Sequence, residues 1–191
     1  MRLVERHLIK PSHLFYQEID EAAFKSKNLY NRANYEIRQH FFETGQVLSY
    51  PKMARLMQSE EAYQALPRKV SQQVLRLLDQ AWKSWSSAFK SWQREPQNFL
   101  GKPRIPRYKD KRKGRFALVY TEQAISRIFL KQGLIRPAGL NLEVSTAQKK
   151  VQEVRIIPQL DCYVLEVIYE QEIVPEPLNY EAIASLDLGL N

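Results

Sequence analysis

The sequence predicts an α+β protein, a small β-barrel interrupted by a helical block. Three observations carry this reading. A strand-like run opens the chain, two long helix-periodic stretches lie between residues 12 and 96, and short apolar runs dominate from Phe116 onward. Closing several short strands into a barrel removes exposed sheet edges, so closure is the expected arrangement. The opening strand is expected to pair with the later ones, which makes the helices an insertion.

Residues 2–10 form the first strand, closed by Pro11. Ser12 is the expected N-cap of a helix running to about Thr44, where Gly45 is a fitting stop. Phe15, Ile19, Ala22, Ala23, Tyr30, Ala33, Ile37 and Phe41 fall near helical spacing. Ser49 then caps a short helix with Pro51 in its first turn and Met53, Leu56 and Met57 facing inward. Pro67 opens the strongest helix, ending near Pro96. Its stripe of Val74, Leu78, Ala81, Trp85, Phe89 and Trp92 has spacings of 4, 3, 4, 4 and 3, which keeps one face apolar. Trp85 and Trp92 are therefore expected in the core. Trp82 is left open between core and stacking roles.

Composition changes after Leu100. Residues 101–115 hold eight Lys or Arg and one Asp, a local charge of +7 out of +8 for the 191-residue chain. Pro103 and Pro106 exclude regular helix or central strand here. Strands are then expected at 116–120, 126–131, 134–137, 140–144, 151–157 and 162–170, followed by a proline-bearing linker and a last strand. The organisation is thus 1–11 first barrel strand, 12–100 helical lobe, 101–115 basic connector, 116–170 remainder of the barrel, 171–182 linker and 183–191 final strand.

The charge points to a polyanion partner, nucleic acid before an acidic membrane surface. No run of about 18 apolar residues offers a membrane span. The N-terminus has no apolar leader, so a cytoplasmic location is expected. The single cysteine, Cys162, excludes an internal disulfide and a four-cysteine zinc site within these residues. His7, His13 and His40 show no metal-binding spacing.

In the connector, Lys102, Arg104, Arg107, Lys109, Lys111, Arg112, Lys113 and Arg115 are candidates to track a phosphate backbone. Tyr108 is a candidate to stack on a base or sugar. A solvated loop is the bland alternative. So dense a charge between ordered elements favours binding. Arg68, Lys69, Gln72, Gln73, Arg76 and Lys83 give the long helix a polar side suited either to base edges or to water. Near the C-terminus, apolar Ile183, Ala184 and Leu186 deliver Asp187 to a strand end, with Gly189 two residues on. A carboxylate there suits Mg²⁺. Asp-x-Gly is also common at turns, so the motif alone leaves both readings open.

The order of these stretches resembles the N-terminal half of the transposon-encoded OrfB/TnpB proteins of the IS200/IS605 and IS1341 type, RNA-guided nucleases related to type V CRISPR effectors. The resemblance rests on the Tyr/Asn-rich stretch 28–34, the segment 72–85, the basic Gly101-Lys102-Pro103-Arg104 run, and Tyr163–Val167 followed by Ser185–Gly189. It implies a wedge-like barrel, an inserted helical recognition lobe, and at 183–191 the first strand of an incomplete RuvC-like, RNase H-fold domain. It also implies a guide RNA from the transposon end and target DNA as partners. Tyr50, Arg68, Gln72 and Thr121 occupy positions like those that touch the duplex flanking the target.

Asp187 matches the first RuvC carboxylate, a Mg²⁺ ligand in full-length relatives. The family's later Glu, its final Asp and its CxxC…CxxC zinc element have no counterpart in these residues. The expectation is therefore that this chain alone holds no metal or zinc and does not cut. Two other readings stay open, a non-cleaving RNA- or DNA-binding regulatory module and a decayed transposase fragment without a selected role. Neither the guide, the flanking motif nor the oligomeric state follows from the sequence.

Overall fold

The computed structural model describes residues 1–171. The final strand and Asp187, and all of the linker beyond Gln171, lie outside the described residues. The architecture is α+β, as expected. A four-stranded antiparallel sheet is built from β1 (Arg2–Ile9), β2 (Leu118–Thr121), β5 (Val151–Pro158) and β6 (Tyr163–Glu170) in the order β1-β6-β5-β2. A two-stranded sheet pairs β3 (Leu134–Ile135) with β4 (Val144–Ser145). Between β1 and β2 lie α1 (Tyr16–Thr44), α2 (Tyr50–Met57), α3 (Glu61–Gln64) and α4 (Arg68–Arg94); α5 (Arg127–Lys131) follows β2.

The opening strand does pair with a late one, from Arg2↔Glu170 to Ile9↔Tyr163, so the helices are an insertion into the sheet. The expected closure does not hold. β1 and β2 are opposite edges of an open sheet. The segment counted on for closure is not continuous strand. Residues 126–131 form a helical turn, α5, instead. A short apolar run fits either structure, and here Leu130 N–H reaches Ser126 O at 3.0 Å. The expected strand 140–144 shrinks to Val144–Ser145.

Helix boundaries follow local chemistry. Gly45 ends α1 with a left-handed φ of 71°, and its N–H reaches Phe41 O. α1 starts at Tyr16 rather than at Ser12, because residues 10–16 first make two tight turns, His13 N–H to Lys10 O and Tyr16 N–H to His13 O. In α2, Met53 and Met57 are buried as expected, whereas Leu56 is 45 % exposed. Position 56 follows Met53 by three residues but stands about 100° around the helix from Met57, so it sits at the edge of the buried face.

Two apolar clusters meet along α1 and α4. Ile19 and Ala23 from α1 and Val70 from α4 pack on the sheet residues Leu118, Val154, Ile156, Leu165 and Val167. Further along the same helices, Leu29, Ala33, Ile37, Val74, Leu78 and Trp82 enclose Met53 and Met57 of α2. Each fully buried large side chain contributes about 1.5–3 kcal/mol. Because α1 and α4 enter both clusters, the helical block is fused to the sheet. Among the described residues no helix is long and apolar enough to cross a membrane.

Candidate nucleic-acid interface

The basic connector is a strap laid antiparallel along α1. Pro103 and Pro106 keep it from forming regular structure, so its carbonyls need partners from outside. Helix α1 supplies them from one stripe. Lys27, Asn31, Asn34 and Arg38 are spaced 4, 3 and 4 apart, the spacing of a single helix face.

Arg38 Nη1 and Asn34 Nδ2 both donate to Pro106 O at 3.1 Å. Asn31 pairs twice with Lys109, donating to its carbonyl at 2.9 Å and accepting its N–H at 2.8 Å. Lys27 Nζ donates to Lys111 O at 2.7 Å, and Ser26 Oγ to Ala117 O at 2.9 Å. Asn34 is fully buried, and its Oδ1 accepts the Trp82 indole N–H at 2.9 Å. No described buried side-chain nitrogen or oxygen lacks a hydrogen-bond partner.

Lys27 is a buried cation, 2 % exposed, with its ammonium 3.7 Å from the Phe24 ring centroid. Burial, and after it the nearby Arg115 charge, pushes its pKa below the usual lysine range. The strap turns at 110–114. Asp110 Oδ1 accepts the N–H groups of Arg112 and Lys113 at 2.9 and 2.6 Å, and these bonds hold its carboxyl below the ordinary range. A Cβ on Gly114 would stand 2.4 Å from Asp110 O, so only glycine fits the turn.

The structure separates the nine predicted strap residues into two sets. Arg115 is an anchor: its guanidinium forks onto Asp20 at 2.8 and 2.5 Å, and the Tyr163 hydroxyl donates to the same carboxylate at 2.7 Å. The bond from Arg115 holds the Asp20 carboxyl below its usual range. Burial, then the bond to Asp20, pushes the Tyr163 hydroxyl up. Lys109 is spent in a similar way, its ammonium over Tyr30 and Phe116 at 5.2 and 5.3 Å. Both residues thus make contacts within the fold.

The other set faces solvent. Lys102, Arg104, Arg107, Lys111, Arg112 and Lys113 are exposed, and among the described residues none of the six forms an ion pair. Tyr108 is 45 % exposed beneath the Arg38 guanidinium, 4.9 Å from its ring centroid. The flanking-duplex candidates are partly gathered. Arg68 and Gln72 share one stripe of α4 with Arg76, at spacings of four, and Arg76 covers the Tyr50 ring at 5.8 Å. Thr121 ends β2, half-buried, and makes no side-chain hydrogen bond that would link it to the other three.

The structure settles Trp82, which was open, and departs from the core placement expected for Trp85 and Trp92. Trp82 is fully buried, whereas Trp85, Phe89 and Trp92 are only half-buried. The α1 stripe was missed as well. Its signal was available: Lys27, Asn31, Asn34 and Arg38 are polar residues at helical spacing beside an apolar face. Among the described residues no group of three or more His, Cys, Asp or Glu converges on a point fit for a metal ion. No protein-family model matches the chain, and no curated protein matches it significantly in sequence.

Proposed function

We propose that this chain is the nucleic-acid-binding part of a transposon-encoded, RNA-guided DNA endonuclease, gripping guide RNA and target DNA. The observation that carries the proposal is the strap: six exposed cations that form no ion pair among the described residues, on a backbone clamped by a row of α1 side chains. A clamped backbone pre-sets where the charges stand, which lowers the ordering cost of binding a polyanion. In this reading the open sheet with its inserted helices is the counterpart of the wedge and recognition lobe. Arg68, Gln72 and Tyr50 lie toward the flanking duplex, with Thr121 contributing from the sheet. Asp187 belongs to the RuvC-like nuclease domain, whose Mg²⁺ site needs carboxylates beyond it.

The strap itself uses no carboxylate cluster, so the same surface equally serves a non-cleaving regulatory module. Two measurements test these readings. Binding of a labelled RNA duplex should weaken with salt at a double-logarithmic slope of about −5 if all six cations meet phosphates. A slope near zero would remove the strap from the interface. RNA recovered with the natively expressed chain should be enriched in the transposon-end transcript, and random cellular RNA would sink the guide assignment. Guide-directed, Mg²⁺-dependent cutting that is lost in Asp187→Ala would separate the nuclease reading from the regulatory one.

A further inference from the structure

Where the first half of the strap passes between α1 and α4, it leaves a cleft of about 690 Å³. That volume is within the roughly 300–1,000 Å³ of small-molecule sites. Its floor is aromatic, from Phe41 of α1 and Trp85 and Phe89 of α4. Its rim is cationic, from Arg38, Lys102, Arg104 and Arg107, and no carboxylate lines it.

Trp85 and Phe89 lie 25° from parallel with centroids 5.5 Å apart, and Phe89 and Trp92 lie 29° from parallel at 5.7 Å. This ladder runs over successive turns of α4 and stays half-exposed. One turn earlier, Trp82 is fully buried with its N–H satisfied by Asn34. The ladder is also fixed in place. Trp85 donates its N–H to Pro103 O at 3.3 Å and meets Phe41 edge-on, and Lys102 Nζ stands 5.5 and 5.7 Å from the Phe89 and Trp92 centroids.

We infer that this cleft, together with the half-exposed Trp92 ring just beyond its lining, takes unpaired nucleotides, with bases on Phe89 and Trp92 and phosphates on Arg104 and Arg107. The inference rests on the nucleic-acid reading and narrows it. An aromatic floor with an all-cationic rim is the combination that recognises single strands: every base has a π face, and every linkage a negative charge. A duplex cannot use the floor, because its base faces are already stacked. An apolar peptide would bury the floor but leave the rim cations desolvated without partners. Recognition by stacking is sequence-tolerant.

The test uses the full chain and two probes, a short oligouridylate and an RNA duplex of the same length, followed by fluorescence anisotropy. The double variant Phe89→Ala/Trp92→Ala should bind oligouridylate about tenfold more weakly, while its duplex affinity changes less than twofold. Lys111→Ala/Arg112→Ala/Lys113→Ala should weaken both probes. Phe89→Tyr/Trp92→Tyr, which keeps the π faces, should restore oligouridylate binding. Oligouridylate should also quench the fluorescence of Trp92. Equal losses on both probes, or unchanged oligouridylate binding in the alanine variant, would overturn the cleft while leaving the strap intact. Competition by polyglutamate as effective as by unlabelled oligouridylate would replace the nucleotide with an acidic peptide. Failure of the wild-type chain to bind either probe would end the nucleic-acid reading itself.

Discussion

The aromatic residues of α4, Trp82, Trp85, Phe89 and Trp92, recur at spacings of 3, 4 and 3 and are put to opposite uses. Trp82, at the middle of the helix, packs with α1 and α2 residues and is completely buried. The C-terminal half runs past its neighbours and leaves Trp85, Phe89 and Trp92 as a half-open ladder. The strap repeats the division with charge. Arg115 and Lys109 are tied to the fold, and Lys111, Arg112 and Lys113 are free. Residue type and period are the same on both sides of each division. What differs is whether a neighbour covers the side chain, and that is a tertiary property.

The sharpest way to test the division is to truncate one tryptophan on each side of it. Trp82→Ala should cost about 3–5 kcal/mol by urea denaturation, because it leaves a large cavity and strands the Asn34 carbonyl oxygen. Trp92→Ala should cost about 1 kcal/mol or less. Comparable losses would break the comparison. The strap offers the next contrast. Arg115→Ala should destabilise by about 2 kcal/mol, since it leaves Asp20 half-buried without its guanidinium. Arg112→Ala should leave the melting temperature in place and weaken duplex binding.

A smaller effect separates the same two arginines by pH. Asp20 titrates below its ordinary value of 3.8 in the fold, held there by Arg115. The unfolded chain therefore binds the proton first as pH falls. Stability from the pair is complete above that ordinary value, declines as pH drops below it and is gone below the folded value. Acid-melting curves should show this decline in the native chain and lose it in Asp20→Asn, while Arg112→Ala keeps it. The smallest effect is expected at Leu56→Ala, within about 0.5 kcal/mol, because that side chain faces water.

Much of the fold was legible in the sequence where local rules decide. The end of α1 at Gly45, the start of α4 after Pro67, the β5 and β6 runs and the irregular strap all follow from turn chemistry and periodicity. Closure of the sheet was not, because it depends on which distant edges meet. Residues 127–131 illustrate the ambiguity, since five apolar-rich residues fit one helical turn as well as a strand. In the candidate interface, the charge was plain, but its division was hidden. Nothing local to Lys109 or Arg115 distinguishes them from their neighbours. Tyr30, Phe116, Asp20 and Tyr163 do so, from elsewhere in the fold. Trp82 was left undecided for the same reason, its partner Asn34 lying 48 positions away.

The antiparallel seating of the strap on α1 has a mechanical consequence. From Pro106 at Arg38 back to Phe116 at Ala23, the bonds to the helix lie in a row parallel to its axis. A nucleic acid dragged along the strap would load that row in shear, sharing the force among its bonds. A pull at right angles would peel them one by one. The fold thus holds the strap more firmly against a pull along α1 than against one away from it.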